Sequence, residues 1–197
     1  MKTFNFYNYL PLRYAAIESD TEKVRNLVYN FKDGQKSAAI FVASQVVSLL
    51  WKWYGCGCKD ITIVCCPSSS ASQYKKRFSY FSAVVANHCM AANAMKHVEI
   101  IGKREALHRT ADHVVRDNGN YRINLDAEFF KGRNVIIFDD LITSGATSEK
   151  FAEQLTAAGA NVLGGLFLAR TIKGISKRSK WGKFAENNSK IMAQYGK

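Results

Sequence analysis

Acidic side chains are scarce in this chain, proline is nearly missing, and no apolar run is long enough to cross a bilayer. The two prolines, Pro11 and Pro67, leave little material for an extended linker. A chain of 197 residues that is 47% hydrophobic and 12% aromatic is also far from the composition of a disordered polymer. One domain spanning 1–197 is expected, with a substantial core. The greasiest stretch, 38–50, is interrupted by Ser44, Gln45 and Ser48, and residues 1–9 have no secretory pattern. A cytoplasmic protein with no membrane partner is the expectation. Five cysteines without an export signal read as reduced thiols, and neither Cys56-x-Cys58 nor Cys65-Cys66 has the paired spacing of a structural zinc site.

The shortage of acids has a second consequence. Sixteen Asp and Glu against 28 Lys and Arg give a net charge of +12, which suits polyanionic ligands or nucleic acid. Between 171 and 197 seven basic residues face Glu186 alone, so this basic C-terminal tail is the candidate surface for nucleic acid. Phosphate motifs of other kinds are missing. There is no Gly-x-x-x-x-Gly-Lys-Ser/Thr, and Gly55-Cys56-Gly57-Cys58 lacks the third glycine of a dinucleotide fingerprint.

What is present alternates between strand and helix. Ser19-Asp20-Thr21-Glu22 reads as a capping box ahead of Val24, Leu27, Val28 and Phe31 at helical spacing, with a stop at Asp33-Gly34. A second helix covers Ala38 to Trp53. Ile61 to Cys66 is a buried strand, followed by the polar loop Ser68-Ser69-Ser70 and a helix marked by Phe78, Phe81, Val84, Val85 and Cys89. Val98 to Ile101 is the next strand. Asn118-Gly119, between Val114-Val115 and Tyr121-Arg122-Ile123, is a hairpin signal. Phe151, Leu155 and Ala158 mark a last helix, and Val162 to Ala169 a closing strand. Such alternation implies an α/β fold with a mostly parallel central sheet flanked by helices, and the N-terminal helices of about 1–55 are expected to lie outside that core, as a small hood.

The most informative segment is Val135-Ile136-Ile137-Phe138-Asp139-Asp140, followed by Leu141-Ile142 and the turn Thr143-Ser144-Gly145-Ala146-Thr147. Four apolar residues read as a strand covered on both faces. Two carboxylates at its carboxyl end stand where open α/β sheets place ligands, and they can accept hydrogen bonds from sugar hydroxyls. The small, hydroxyl-rich turn can wrap backbone N–H groups round a phosphate. The plainer reading of the same residues is a solvated Asp-Asp turn before a capped helix.

This run resembles the phosphoribosyl-diphosphate (PRPP) signature of type I phosphoribosyltransferases. Phe31-Lys32-Asp33-Gly34, Pro67 with its loop, Lys76-Arg77-Phe78-Ser79, the signature and Leu168-Ala169-Arg170 also occur in the order seen in ComF-like phosphoribosyltransferase-domain proteins, over roughly Val24 to Arg170. Two departures stand out. The zinc-binding cysteines often found ahead of this domain are missing, and the family's Arg-Gly-Phe-Asn segment is Lys76-Arg77-Phe78-Ser79 here.

The resemblance implies that Asp139 and Asp140 hold the ribose hydroxyls as the catalytic pair and that Thr143, Ser144, Gly145, Ala146 and Thr147 bind the 5′-phosphate. It also implies that Ser68 and Ser69, with Lys75, Lys76 and Arg77, take the pyrophosphate. Lys103, Arg104 and His108 form a possible lid. Mg²⁺ is the expected cofactor, held mainly by PRPP and water with no direct protein ligand. The partners implied are PRPP, pyrophosphate and an unidentified small-molecule acceptor, in an enzyme expected to be a homodimer. A non-catalytic PRPP-sensing or nucleic-acid-binding protein of the same fold is the alternative.

Overall fold

The structure, a computed structural model, describes residues 1–12, 19–104 and 120–172. Strand β1 (Thr3–Tyr9) precedes helices α1 (Ser19–Lys32) and α2 (Lys36–Tyr54); a short 3₁₀ turn then leads into β2 (Ile61–Cys65). Helix α3 (Ala71–Cys89) connects β2 to the two-residue β3 (Ala92–Asn93), and β4 (Val98–Ile101) follows. The last part runs β5 (Arg122–Leu125), α4 (Ala127–Phe130), β6 (Asn134–Ile142), α5 (Ala146–Ala157) and β7 (Asn161–Thr171). Five strands make one parallel sheet in the order β1-β7-β6-β2-β3. The expected α/β class with a parallel sheet flanked by helices is what the chain adopts.

Burial explains why these residues choose these elements. All five residues of β2 and the run Val135–Phe138 of β6 are buried, as strands covered on both faces must be. Along α1 the residues at helical spacing, Val24, Leu27, Val28 and Phe31, are buried. The helix stops at Gly34, whose φ of +74° is open to glycine and costly for other residues. A Cβ there would also lie 2.5 Å from the Lys76 carbonyl oxygen, so the α1–α2 turn can sit against α3 only without a side chain. Phe138 of β6 packs against Phe81 at 4.1 Å between ring centroids and against Phe31 at 5.8 Å, which ties α1 and α3 to the middle of the sheet.

Three expectations are corrected. Residues 3–9 form an edge strand parallel to β7, not helix or hood; Asn5 and Asn8 interrupt the aromatics there, and an edge strand needs no continuous apolar run. Nor do the N-terminal helices lie outside the core: Ala38, Val42, Val46 and Leu50 of α2, like the α1 residues, belong to it. Finally, Val98–Ile101 does not continue the parallel sheet but pairs antiparallel with Arg122–Leu125 in a separate two-stranded sheet. The partner expected for that second strand, Val114-Val115, lies with Asn118-Gly119 outside the described residues. The position beside β2 goes instead to Ala92–Asn93, too short a segment to give a periodic signal.

Candidate functional site

The order of the strands locates a crevice before any side chain is considered. From β2 the chain passes through α3 to β3 on one side, whereas β6 and then β7 are added on the other. Between β2 and β6 the direction of winding reverses, and ligands of open α/β sheets bind outside the carboxyl ends of strands at such a point. Pairing of β6 with β2 ends at Phe138, opposite Cys65, and the last contact is the Cys66 N–H donating to the Phe138 carbonyl at 2.8 Å. Beyond it, β6 continues alongside β7 alone, with Asp139 opposite Phe167 and Leu141 opposite Ala169. Asp139 and Asp140 are therefore the first residues of β6 past the point where β2 turns away.

Successive side chains of a strand point to opposite faces, so the two carboxylates do not lie side by side. Asp140 shares the face of Phe138 and is only 4% exposed. Its Oδ2 lies 2.7 Å from Arg77 Nη1 of α3, and its Oδ1 lies 3.7 Å from Lys32 Nζ at the end of α1. Among the described residues neither Asp140 Oδ2 nor Arg77 Nε has an aligned hydrogen-bond partner, so the pair is held by charge at contact distance. Asp139 turns back on the chain, its Oδ1 accepting the Asp140 N–H at 2.8 Å. Burial, and then the adjacent Asp140 carboxylate, push Asp139 up to about 8, against the opposing pull of that N–H, Arg77 and Lys32. Cys66 beside it is also pushed well up by burial and by the Asp139 charge, and so remains a neutral thiol.

Two loops flank the carboxylates. After β6 the turn Thr143–Gly145 is open to solvent apart from Gly145, whose φ of +88° and N-cap position start α5. Thr143 Oγ1 is 3.0 Å from Thr171 Oγ1, Ser144 Oγ accepts a long 3.4 Å bond from the Ala146 N–H, and the buried Ser148 hydroxyl donates to the Gly145 carbonyl at 2.8 Å. Ala146 and Thr147 are exposed in the first turn of α5, where the first N–H groups beyond Ala146 lack intrahelical partners and can meet an anion. Glu149 is in the same turn and adds a competing negative charge.

After β2, Cys66-Pro67-Ser68 is buried, and Ser70 caps α3 by accepting the Gln73 N–H at 3.3 Å. Ser68 is 6% exposed, and among the described residues its Oγ has no hydrogen-bond partner. Lys103 bridges to Ser70, and the Arg104 N–H donates to the Ser69 carbonyl at 2.8 Å, so two of the three candidate lid residues lie against this loop. His108 is outside the described residues. Of the three candidate pyrophosphate cations, Arg77 pairs with Asp140, Lys76 pairs with Asp33 at the exposed end of α1, and Lys75 is exposed. Lys32, to which the sequence assigned no role, stands beside Asp140; its place in the Phe31–Gly34 segment was the one signal that could have singled it out.

A groove of about 320 Å³ lined by Phe4, Trp53, Tyr54, Ile136 and Leu166 lies toward the opposite, amino ends of the strands and contains none of the candidate residues. Among the described residues no helix is long and apolar enough to cross a membrane. No family model matches the chain, and a search of curated proteins finds no significant relative.

Proposed function

We propose that the chain is a phosphoribosyltransferase of the type I fold, which displaces pyrophosphate from C1 of PRPP and passes the 5-phosphoribosyl group to a small nitrogenous acceptor. One observation carries the reading: segments far apart in sequence that resemble the family meet around one crevice. Phe31 touches Phe78, Lys76 pairs with Asp33, and Asp140 is held between Lys32 and Arg77. A surface Asp-Asp turn with no ligand role would not need two cations from two helices.

In this reading the exposed turn 143–147 and the first N–H groups of α5 take the 5′-phosphate, and the carboxylates orient the ribose hydroxyls. Positive charge develops on the ribose ring as the bond to pyrophosphate breaks, and negative charge grows on the leaving group. The buried loop at Ser68, with Arg104 beside it, is placed to receive that negative charge. Mg²⁺ belongs to the same reading. Among the described residues no three His, Cys, Asp or Glu side chains converge, and the residues present fit an ion that draws its ligands from phosphate and water, with Asp139 or Asp140 reached through water. Bound with PRPP, it would offset charge on the departing pyrophosphate.

The net charge of +12 favours a second reading, in which the site senses PRPP while the protein binds nucleic acid. Pyrophosphate release from PRPP and Mg²⁺, measured across a panel of purines, pyrimidines and simple amines, separates the two. Acceptor-dependent release supports the transferase; PRPP binding without release by any acceptor supports the sensor.

A further inference from the structure

Tyr121 immediately precedes β5, and it touches the crevice from a distance in sequence that no motif would suggest. Its hydroxyl donates to the Ser68 carbonyl at 2.8 Å, and the Arg104 guanidinium carbon sits 5.4 Å from its ring centroid. Burial, the largest influence on the phenol, pushes it up, so it keeps the proton it donates. Gly102 closes the base of this arrangement: its φ is +75° and a Cβ would lie 2.0 Å from the Asn120 carbonyl oxygen, so the outgoing and returning strands approach only with glycine there. One side chain thus holds both the loop carrying the unpartnered Ser68 hydroxyl and the flat face of an arginine. Among the described residues no carboxylate pairs with that arginine.

Resting on the transferase reading, we propose that Tyr121 is a positioning residue for the leaving pyrophosphate. Its hydroxyl fixes the Ser68–Ser70 loop, and its ring orients Arg104 so that the guanidinium and the loop face the same anion. Fixing a cation by stacking limits the side-chain freedom it would otherwise lose on meeting the ligand. The carboxylates and the 143–147 turn are served by other elements, so Tyr121 acts on one half of the ligand.

The test uses two fragments of PRPP, each with Mg²⁺: inorganic pyrophosphate and ribose 5-phosphate, titrated calorimetrically into the wild-type chain, Tyr121→Phe, Tyr121→Leu and Arg104→Ala. Loss of one loop-orienting hydrogen bond in Tyr121→Phe should weaken pyrophosphate about fivefold to tenfold. Tyr121→Leu, which also removes the ring, should weaken it further, approaching Arg104→Ala, while ribose 5-phosphate stays within about twofold throughout. Equal weakening of both fragments would show general damage and overturn the positioning role. Unchanged pyrophosphate affinity in Tyr121→Leu would overturn it while leaving the site reading standing. If the wild-type chain binds neither fragment, the site reading itself fails and the role of Tyr121 fails with it.

Discussion

Replacing Asp140 by Asn should destabilise the fold, because the carboxylate is the shared counter-charge of two cations and not a solvated turn residue. Its side chain is 5% exposed, 2.7 Å from Arg77 Nη1 and 3.7 Å from Lys32 Nζ. Breaking a buried pair by removing one partner costs about 3–5 kcal/mol. Here the cost is reduced because the Lys32 side chain is 40% exposed and Arg77 20% exposed, so both can turn toward water once released. About 2–3 kcal/mol is therefore expected for Asp140→Asn, and about the same for Arg77→Met, which strands the carboxylate with Lys32 alone. If the two side chains act as a unit, the double variant Asp140→Asn/Arg77→Met should lose clearly less than the sum, with a coupling of about 1–2 kcal/mol. Guanidinium denaturation followed by far-ultraviolet circular dichroism gives all three values. A cost below about 0.5 kcal/mol for Asp140→Asn, the scale of an ordinary surface change, or strict additivity in the cycle, would refute the buried pair.

Asp139 should make stability fall as pH rises: its folded value of about 8 exceeds the usual carboxylate range, so the folded state holds a proton that the unfolded chain has released. The stabilisation is complete below about pH 4 and is lost between about pH 4 and 8; chemical denaturation at several pH values should show this decline, and Asp139→Asn should flatten it. Ribose 5-phosphate affinity should rise over the upper part of the same window as the carboxylate ionises, and an affinity that falls there would contradict its role as a hydroxyl acceptor. Gly145→Ala should cost about 1 kcal/mol, since the φ of +88° strains an L-residue while the nearest neighbour of an added Cβ is the Ile142 methyl at 3.6 Å. It should also weaken inorganic phosphate binding, and unchanged phosphate affinity would remove the 143–147 turn from the site. For the tail, seven basic residues face one acid between 173 and 197, so the full chain should bind labelled oligonucleotides with an affinity that drops steeply with salt. A chain ending at Ile172, which keeps the Thr143–Thr171 contact and the Ile172 N–H bond to Tyr9, should lose that binding; equal binding by both chains would dismiss the tail.

The interior strands were legible because burial on both faces leaves a continuous apolar run, as in Ile61–Cys65 and Val135–Phe138. Helix α1 was legible for the converse reason, a one-sided stripe at helical spacing. Edge and short strands were not. In β1, Asn5 donates its amide to the Tyr7 carbonyl two residues on, and its carbonyl oxygen accepts from Arg170, a contact that forms only once β7 is alongside. The departure of Val98–Ile101 from the parallel sheet could not be read either, since apolar pattern specifies a strand but not its partner. At the candidate site the sequence located the carboxylates and both loops. It could not distribute the cations: Lys75, Lys76 and Arg77 are neighbours on one helix, and only rotation about the α3 axis sends Arg77 to Asp140 and Lys76 to Asp33.

Calorimetric titration of PRPP into the full chain with and without Mg²⁺ tests the central claim most directly. Saturable one-to-one binding that strengthens with Mg²⁺ and disappears in Asp139→Asn is the expected result. No saturable heat at millimolar PRPP and Mg²⁺, or binding that Asp139→Asn leaves untouched, would contradict the account.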